Sequence, residues 1–133
     1  MTNALQALLG AKPAAEITQQ VAIKRLGTEF TIKALTGEDI DKLRDQATYP
    51  VKEGKKTVQK VNEDEASRLL VVKATIEPNF ADKKLVEHFN AADASDCVRK
   101  ALLAGEIATL QQAILELAGF TDDEDEAIDE VKN

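Results

Sequence analysis

The sequence predicts an α+β fold that is mostly helical: an N-terminal β-hairpin packed on a bundle of about five helices, followed by a flexible acidic C-terminal tail. Three observations predict it. Strand-type alternation is confined to residues 17–35. From Thr36 to Phe120, apolar residues recur at three- and four-residue spacing between helix start and stop signals. Residues 121–133 (TDDEDEAIDEVKN) hold seven of the chain's 24 acids and one of its 17 bases, which leaves 17 acids against 16 bases in residues 1–120. A dense run of like charge repels itself and has little apolar surface to bury, so it is expected to stay solvated. The organisation expected is one globular domain over 1–120, with 1–15 as N-terminal helix and linker, and a tail over 121–133.

Residues 2–10 (TNALQALLG) read as a short helix capped by Thr2, with Leu5, Leu8 and Leu9 on one side and Gly10 at its end. So short a helix is unstable alone, so it must dock on the body, dock on a neighbouring subunit, or fray. Residues 11–15 form a linker. Residues 17–35 form the hairpin: Ile17, Val21 and Ile23 alternate on one strand and Phe30, Ile32 and Ala34 on the other, with the turn at Leu26-Gly27-Thr28. A lone hairpin is marginal in water, so its apolar face must lie on helices.

Thr36 caps a helix that carries Glu38 and Asp39 in its first turn, buries Ile40, Leu43 and Ala47, and ends at Tyr49-Pro50. Residues 51–61, with Lys52, Lys55, Lys56 and Lys60 around Gly54, read as a solvated loop; an irregular hairpin is the alternative, and its functional use would be docking an acidic surface. Asn62 caps a helix over 62–77 that Pro78 stops, apolar on most sides and therefore central to the core. A short helix follows over Asp82–Phe89 with Leu85, Val86 and Phe89 inward. Another, from Asp93 or Ser95 to Ala104, turns Val98, Ala101, Leu102 and Leu103 inward. Gly105 breaks or kinks the chain before the last helix, Glu106 to Ala118, which Gly119 terminates while Phe120 folds back.

Composition excludes several function classes. Hydrophobic residues make up 44%, enough for a core, but aromatics only 4%, so that core is expected to be mostly Leu, Ile, Val and Ala. No apolar run reaches the ~20 residues a bilayer needs, no signal-peptide pattern opens the chain, and one cysteine excludes an internal disulfide. A cytoplasmic protein is expected. The four lysines of 52–60 lack aromatics or clustered arginines, so no nucleic-acid partner is expected. His88 and Cys97 are the sole histidine and cysteine; they offer no metal-ligand spacing, and as a nucleophilic pair they would have to meet in the fold. The glycines are scattered at turns and helix ends, with no phosphate loop among them. No catalytic residue, metal or cofactor is assigned, and no enzyme is expected.

The interaction candidates are apolar. Leu103, Ile107, Leu110, Ile114 and Leu117 form a heptad seam about two heptads long. The bland alternative is that this stripe faces the protein's own core. Leu115 lies off the stripe and is expected to be exposed. A partner surface is therefore placed on Leu103, Ile107, Leu110, Ile114 and Leu115, and a self-association surface on Leu5, Leu8 and Leu9, which allows a homo-oligomer.

Three segments carry a family resemblance: LTGEDIDKLRDQAT (Leu35–Thr48), VVKATIEPNFADKKLVEHF (Val71–Phe89) and LLAGEIATLQQAILELAGF (Leu102–Phe120). Together they resemble the XkdN-like tail assembly chaperones of contractile-tailed phages and prophages. The resemblance implies a non-enzymatic protein that binds the tape measure protein during tail morphogenesis, keeps it soluble, helps recruit tail-tube subunits and is absent from the mature virion. It also implies, as in many such phages, a longer form made by ribosomal frameshifting as a further partner. The competing functions are a generic acidic adaptor or charge-mimic inhibitor, suggested by the tail, and a small hydrolase, which would need His88 beside Cys97.

Overall fold

The computed structural model describes residues 3–120. The acidic segment 121–133 and the Thr2 cap lie outside the described residues. The fold is α+β, as the sequence predicts. The first helix, α1 (Ala4–Leu9), is capped by Asn3, whose Oδ1 accepts the Gln6 N–H at 2.8 Å. After a 3-10 turn at Ala14–Glu16, β1 (Thr18–Ile23) and β2 (Thr28–Lys33) form the expected hairpin, with Val21 opposite Phe30. A second 3-10 turn at Lys24–Leu26 leads into Gly27, whose φ of 66° is the left-handed conformation that glycine adopts at little cost.

The helix α2 (Gly37–Gln46) begins with a capping box: Thr36 Oγ1 accepts the Asp39 N–H at 3.2 Å, and the Asp39 carboxylate accepts the Thr36 N–H at 3.0 Å. Ala47 is its C-cap, so Tyr49 and Pro50 do not merely stop a helix: they belong to the strand β3 (Thr48–Glu53), paired with β4 (Lys56–Val61). The expected loop over 51–61 is therefore a regular antiparallel hairpin. Val51 faces Val58 across it, and Gly54 takes φ 63° at the first position of a two-residue turn. The lysines hide this pairing in the sequence, because they leave too few apolar positions to set a period.

Helix α3 (Glu63–Ala74) ends three residues before the sequence expectation; Thr75–Glu77 is a strand, β5, paired antiparallel to β2. Two forces favour the strand: the residue before a proline is driven to extended backbone, and β2 still has an open edge to pair. The sheet order is β1-β2-β5. Then come α4 (Lys83–His88), α5 (Ala94–Ala101) and α6 (Ala104–Leu117). Leu102 is the C-cap of α5 and Leu103 the N-cap of α6, so Leu103 points outward, contrary to expectation, with 57% of its surface exposed. Gly105 does not break the chain; it lies in the first turn of α6.

A single cluster of buried residues joins the layers. The inner faces of β1 and β2 (Val21, Ile23, Phe30, Ile32) lie on α3 (Leu70, Val71, Ala74), α5 (Cys97, Val98) and α6 (Leu110, Ile114). As its apolar sides predict, α3 is central and packs against α2, α5 and α6. Phe30 and Phe80 meet edge to face, 6.1 Å between ring centroids, and so lock the sheet to the segment that enters α4.

Candidate interaction surface

Helix α6 is fixed at both ends by contacts that its sequence encodes. At its start the Glu106 carboxylate accepts the Leu103 N–H at 2.8 Å, the reciprocal half of a capping box; Leu103 has no side-chain oxygen to supply the other half. The same carboxylate takes a bidentate bond from Arg25 at the hairpin turn, Nε to Oε2 at 2.9 Å and Nη2 to Oε1 at 2.8 Å. At its end Gly119 has φ 102°, Phe120 N–H donates to the Leu115 carbonyl at 2.9 Å and Gly119 N–H to that of Glu116 at 3.0 Å. This is a Schellman motif, with Phe120 brought back beside Leu115.

Between these ends the heptad seam divides. Leu110 and Ile114 are fully buried against the hairpin and α3. Ile107 and Leu117 are half-buried, and Leu103 is exposed. Leu115, expected to be exposed, is half-buried and packs against the core cluster. A helix wedged between two others buries a face wider than one heptad line. Beside Leu115 a groove of about 190 Å³ opens between α2, α3 and α6, with Ile40, Leu43, Leu70, Leu115 and Phe120 as its apolar lining. Its polar edge is tied down: Arg44 bonds both Glu63 oxygens at 3.2 and 3.1 Å, and Gln111 Nε2 donates to Ser67 Oγ at 3.1 Å. Sequence reasoning did not assign Ile40 and Phe120 to this surface. Phe120 carried a local signal, the glycine before it; Ile40 carried none, because only the packing of α2 on α3 sets it beside Leu115.

The N-terminal candidates are all accessible. Leu5, Leu8 and Leu9 are 66%, 77% and 77% exposed, and α1 buries none of its residues. Docking on the chain's own body, one of the three options, is not what the structure adopts.

The residues considered for chemistry sit apart in character. His88 is exposed with its ring edge-to-face on Phe89. Cys97 is fully buried, and burial, then the Asp96 charge, pushes its thiol up from its ordinary value, so it carries no ready thiolate. Among the described residues no cluster of three potential metal ligands is present, and no helix is long and apolar enough to cross a membrane.

Three carboxylates are held below their ordinary range. Asp96 is lowered by the Ala92 N–H, then by Arg99 and Lys100; Glu106 by Arg25, then by the Leu103 N–H; Asp39 by the Thr36 N–H. A depressed carboxyl stabilises the fold above its unfolded value, and that contribution is lost as pH falls through the folded value. Thermal unfolding followed by circular dichroism is therefore expected to have a level midpoint from about pH 7 to 5 and a falling one below about pH 4. In Glu106→Gln the midpoint is lower at neutral pH and its acid dependence weaker. An equal drop for the variant and the parent protein between pH 5 and 3 would contradict a stabilising role for the Arg25–Glu106 pair.

The family described as phage XkdN-like tail assembly chaperone protein matches residues 5–132. Over 106 residues the chain is 30% identical to the uncharacterized protein YqbN of Bacillus subtilis (strain 168), covering 78% of this chain and 71% of that protein. It is 29% identical over 106 residues to the phage-like element PBSX protein XkdN of the same organism, covering 78% and 72%. The crystal structure of YqbN superposes with a TM-score of 0.64 at 20% identity, over 91% of this chain and 100% of that one, a likeness of fold.

Proposed function

Because this chain belongs to the phage XkdN-like tail assembly chaperone family, we propose that it binds the tape measure protein during tail assembly, keeps it soluble, and helps to bring tail-tube subunits to it, acting in the host cytoplasm without catalysis. The observation that carries this is the family match, which runs through all three segments of the resemblance and the acidic segment as well. The geometry is compatible with it. A tape measure protein presents long apolar helical faces before the tube encloses it, and a groove between helices is a standard seat for such a face. Contacts must also be weak enough to be reversed, and a groove of about 190 Å³ admits only a side chain or two. Many copies along one long partner would supply avidity.

The proposed contact residues are the reachable ones, Leu103, Ile107 and Leu115 of the sequence-derived set, joined by Ile40 and Phe120. Leu110 and Ile114 hold the surface from beneath. Leu5, Leu8 and Leu9 are proposed to mediate self-association along the partner.

Co-expression with the tape measure protein of the same phage tests this. The parent chain is expected to bring the partner into the soluble fraction. Phe120→Asp, a change at a side chain 58% exposed, is expected to lower that yield severalfold while its circular dichroism spectrum stays native. A folded Phe120→Asp, alone and with Leu115→Gln, that retains full partner yield would place the contact elsewhere.

A further inference from the structure

The β3–β4 hairpin is the least supported element of the fold. Its strands pair with each other, neither strand holds a buried residue, and no other element packs extensively on either. A two-stranded hairpin without a third layer is marginal in water, so this arm has most to gain from a partner. Its chemistry says of what kind. Lys52, Lys55, Lys56 and Lys60 project from it against a single acid, Glu53, which pairs with Lys60 at 3.1 Å. Among the described residues, Lys52, Lys55 and Lys56 take part in no ion pair. Tyr49, Val51 and Val58 share one face with Lys56, Lys60 and Glu53, while Lys52 lies on the other face and Lys55 in the turn, so the arm carries lysines on both faces and at its tip around a small apolar centre.

The same chain holds the opposite charge in residues 122–130. Three residues past the end of α6, Phe120 lines one groove with Arg44 and Glu63. Those two residues mark the base of the arm: the Arg44 carbonyl accepts the Thr48 hydroxyl at 2.7 Å where β3 begins, and Glu63 follows Asn62, whose N–H donates to the Ala47 carbonyl at 2.9 Å where β4 ends. Phe120, two residues before the first of the seven acids between Asp122 and Glu130, thus lies at the foot of the lysine arm. Thirteen residues reach at most about 45 Å, and a six-residue strand is only about 20 Å long. Two of the three acids that open α3 are already paired, Glu63 with Arg44 and Glu65 with Arg68, which limits repulsion at the base.

We propose that the β3–β4 arm is the docking strip for the acidic segment Asp122–Glu130 of its own chain. Tethering favours the chain's own segment over a neighbour's, because a short link gives an effective concentration in the millimolar range. Each exposed ion pair contributes little, so the contact depends on several at once and is sensitive to salt. The proposal does not rest on the family assignment.

Zero-length carbodiimide cross-linking of the full-length protein, read by peptide mass spectrometry, tests it. Links from Lys52, Lys55, Lys56 or Lys60 to residues 122–130 are expected at low salt and lost in about 0.5 M sodium chloride. In an equal mixture of 14N and 15N chains they join peptides of one isotope. In the triple variant Lys52→Glu, Lys55→Glu, Lys56→Glu the link from Lys60, whose amine is retained, disappears. Should that variant misfold, full-length protein with its seven tail acids changed to Asn and Gln is expected to exchange the Val51 and Val58 amide hydrogens roughly threefold faster or more. Mixed-isotope links would assign the strip to a neighbour's segment and overturn the proposal. So would salt-independent links, an absence of links, or unchanged exchange.

Discussion

Ile114→Ala is expected to lower the unfolding free energy by about 2–5 kcal/mol, the range for deleting a large aliphatic side chain from a core that relaxes only in part. Ile114 has no exposed surface and lies in the cluster joining α6 to the hairpin and α3. Against a total of about 5–15 kcal/mol for a domain this is a large share, so the variant should unfold at clearly lower urea. The result also separates support from contact. At low temperature, where the variant is still folded, partner binding should persist, because the proposed contacts are Leu115 and Phe120 rather than Ile114. Urea unfolding measures the first part and co-expression at reduced temperature the second. A loss under about 1 kcal/mol would mean that Ile114 is less enclosed than its packing indicates.

Phe80→Ala is expected to cost about 3–5 kcal/mol. Phe80 is 2% exposed and meets Phe30 edge to face, a geometry that adds roughly 0.5–1.5 kcal/mol beyond area burial. Its loss opens the space between β2 and the segment entering α4. A double-mutant cycle with Phe30→Ala separates the pair term from the cavity terms. Strict additivity of the two single changes would show that the rings contribute only through burial.

Local chemistry made much of the helical layout legible. Thr36 with Asp39 made a capping box, Asn62 and Asp82 made N-caps, and Gly119 with Phe120 made a helix end, because each depends on residues no more than five apart. The first hairpin was equally readable, since Val21, Ile23, Phe30 and Ile32 alternate around Gly27. The second was not. Its only opposed apolar pair is Val51 with Val58, and a period cannot be read from one pair. The strand β5 was missed for a different reason: its partner β2 lies more than forty residues earlier, and Thr75-Ile76-Glu77 continues an apolar helix without a break in composition.

The candidate surface divides in the same way. The sequence found the α6 stripe but could not tell its inner side from its outer one. Leu110 and Ile114 share the spacing of Leu103 and Ile107, yet the first two are sealed inside while the third is exposed and the fourth half-covered. That sorting depends on where the hairpin, α2 and α3 come to rest on α6.

By itself, then, the chain determined its class, most helix starts and stops and a mostly aliphatic core, because these follow from near-neighbour hydrogen bonds and apolar spacing; the family was legible only as a resemblance of three segments. The tertiary structure alone decided that the lysine segment is an arm, that Thr75–Glu77 completes a sheet, and that Ile40, Leu115 and Phe120 line one groove. Each of these brings together residues distant in the chain, and such contacts form only when burial of shared apolar surface outweighs the entropy of closing the intervening loops.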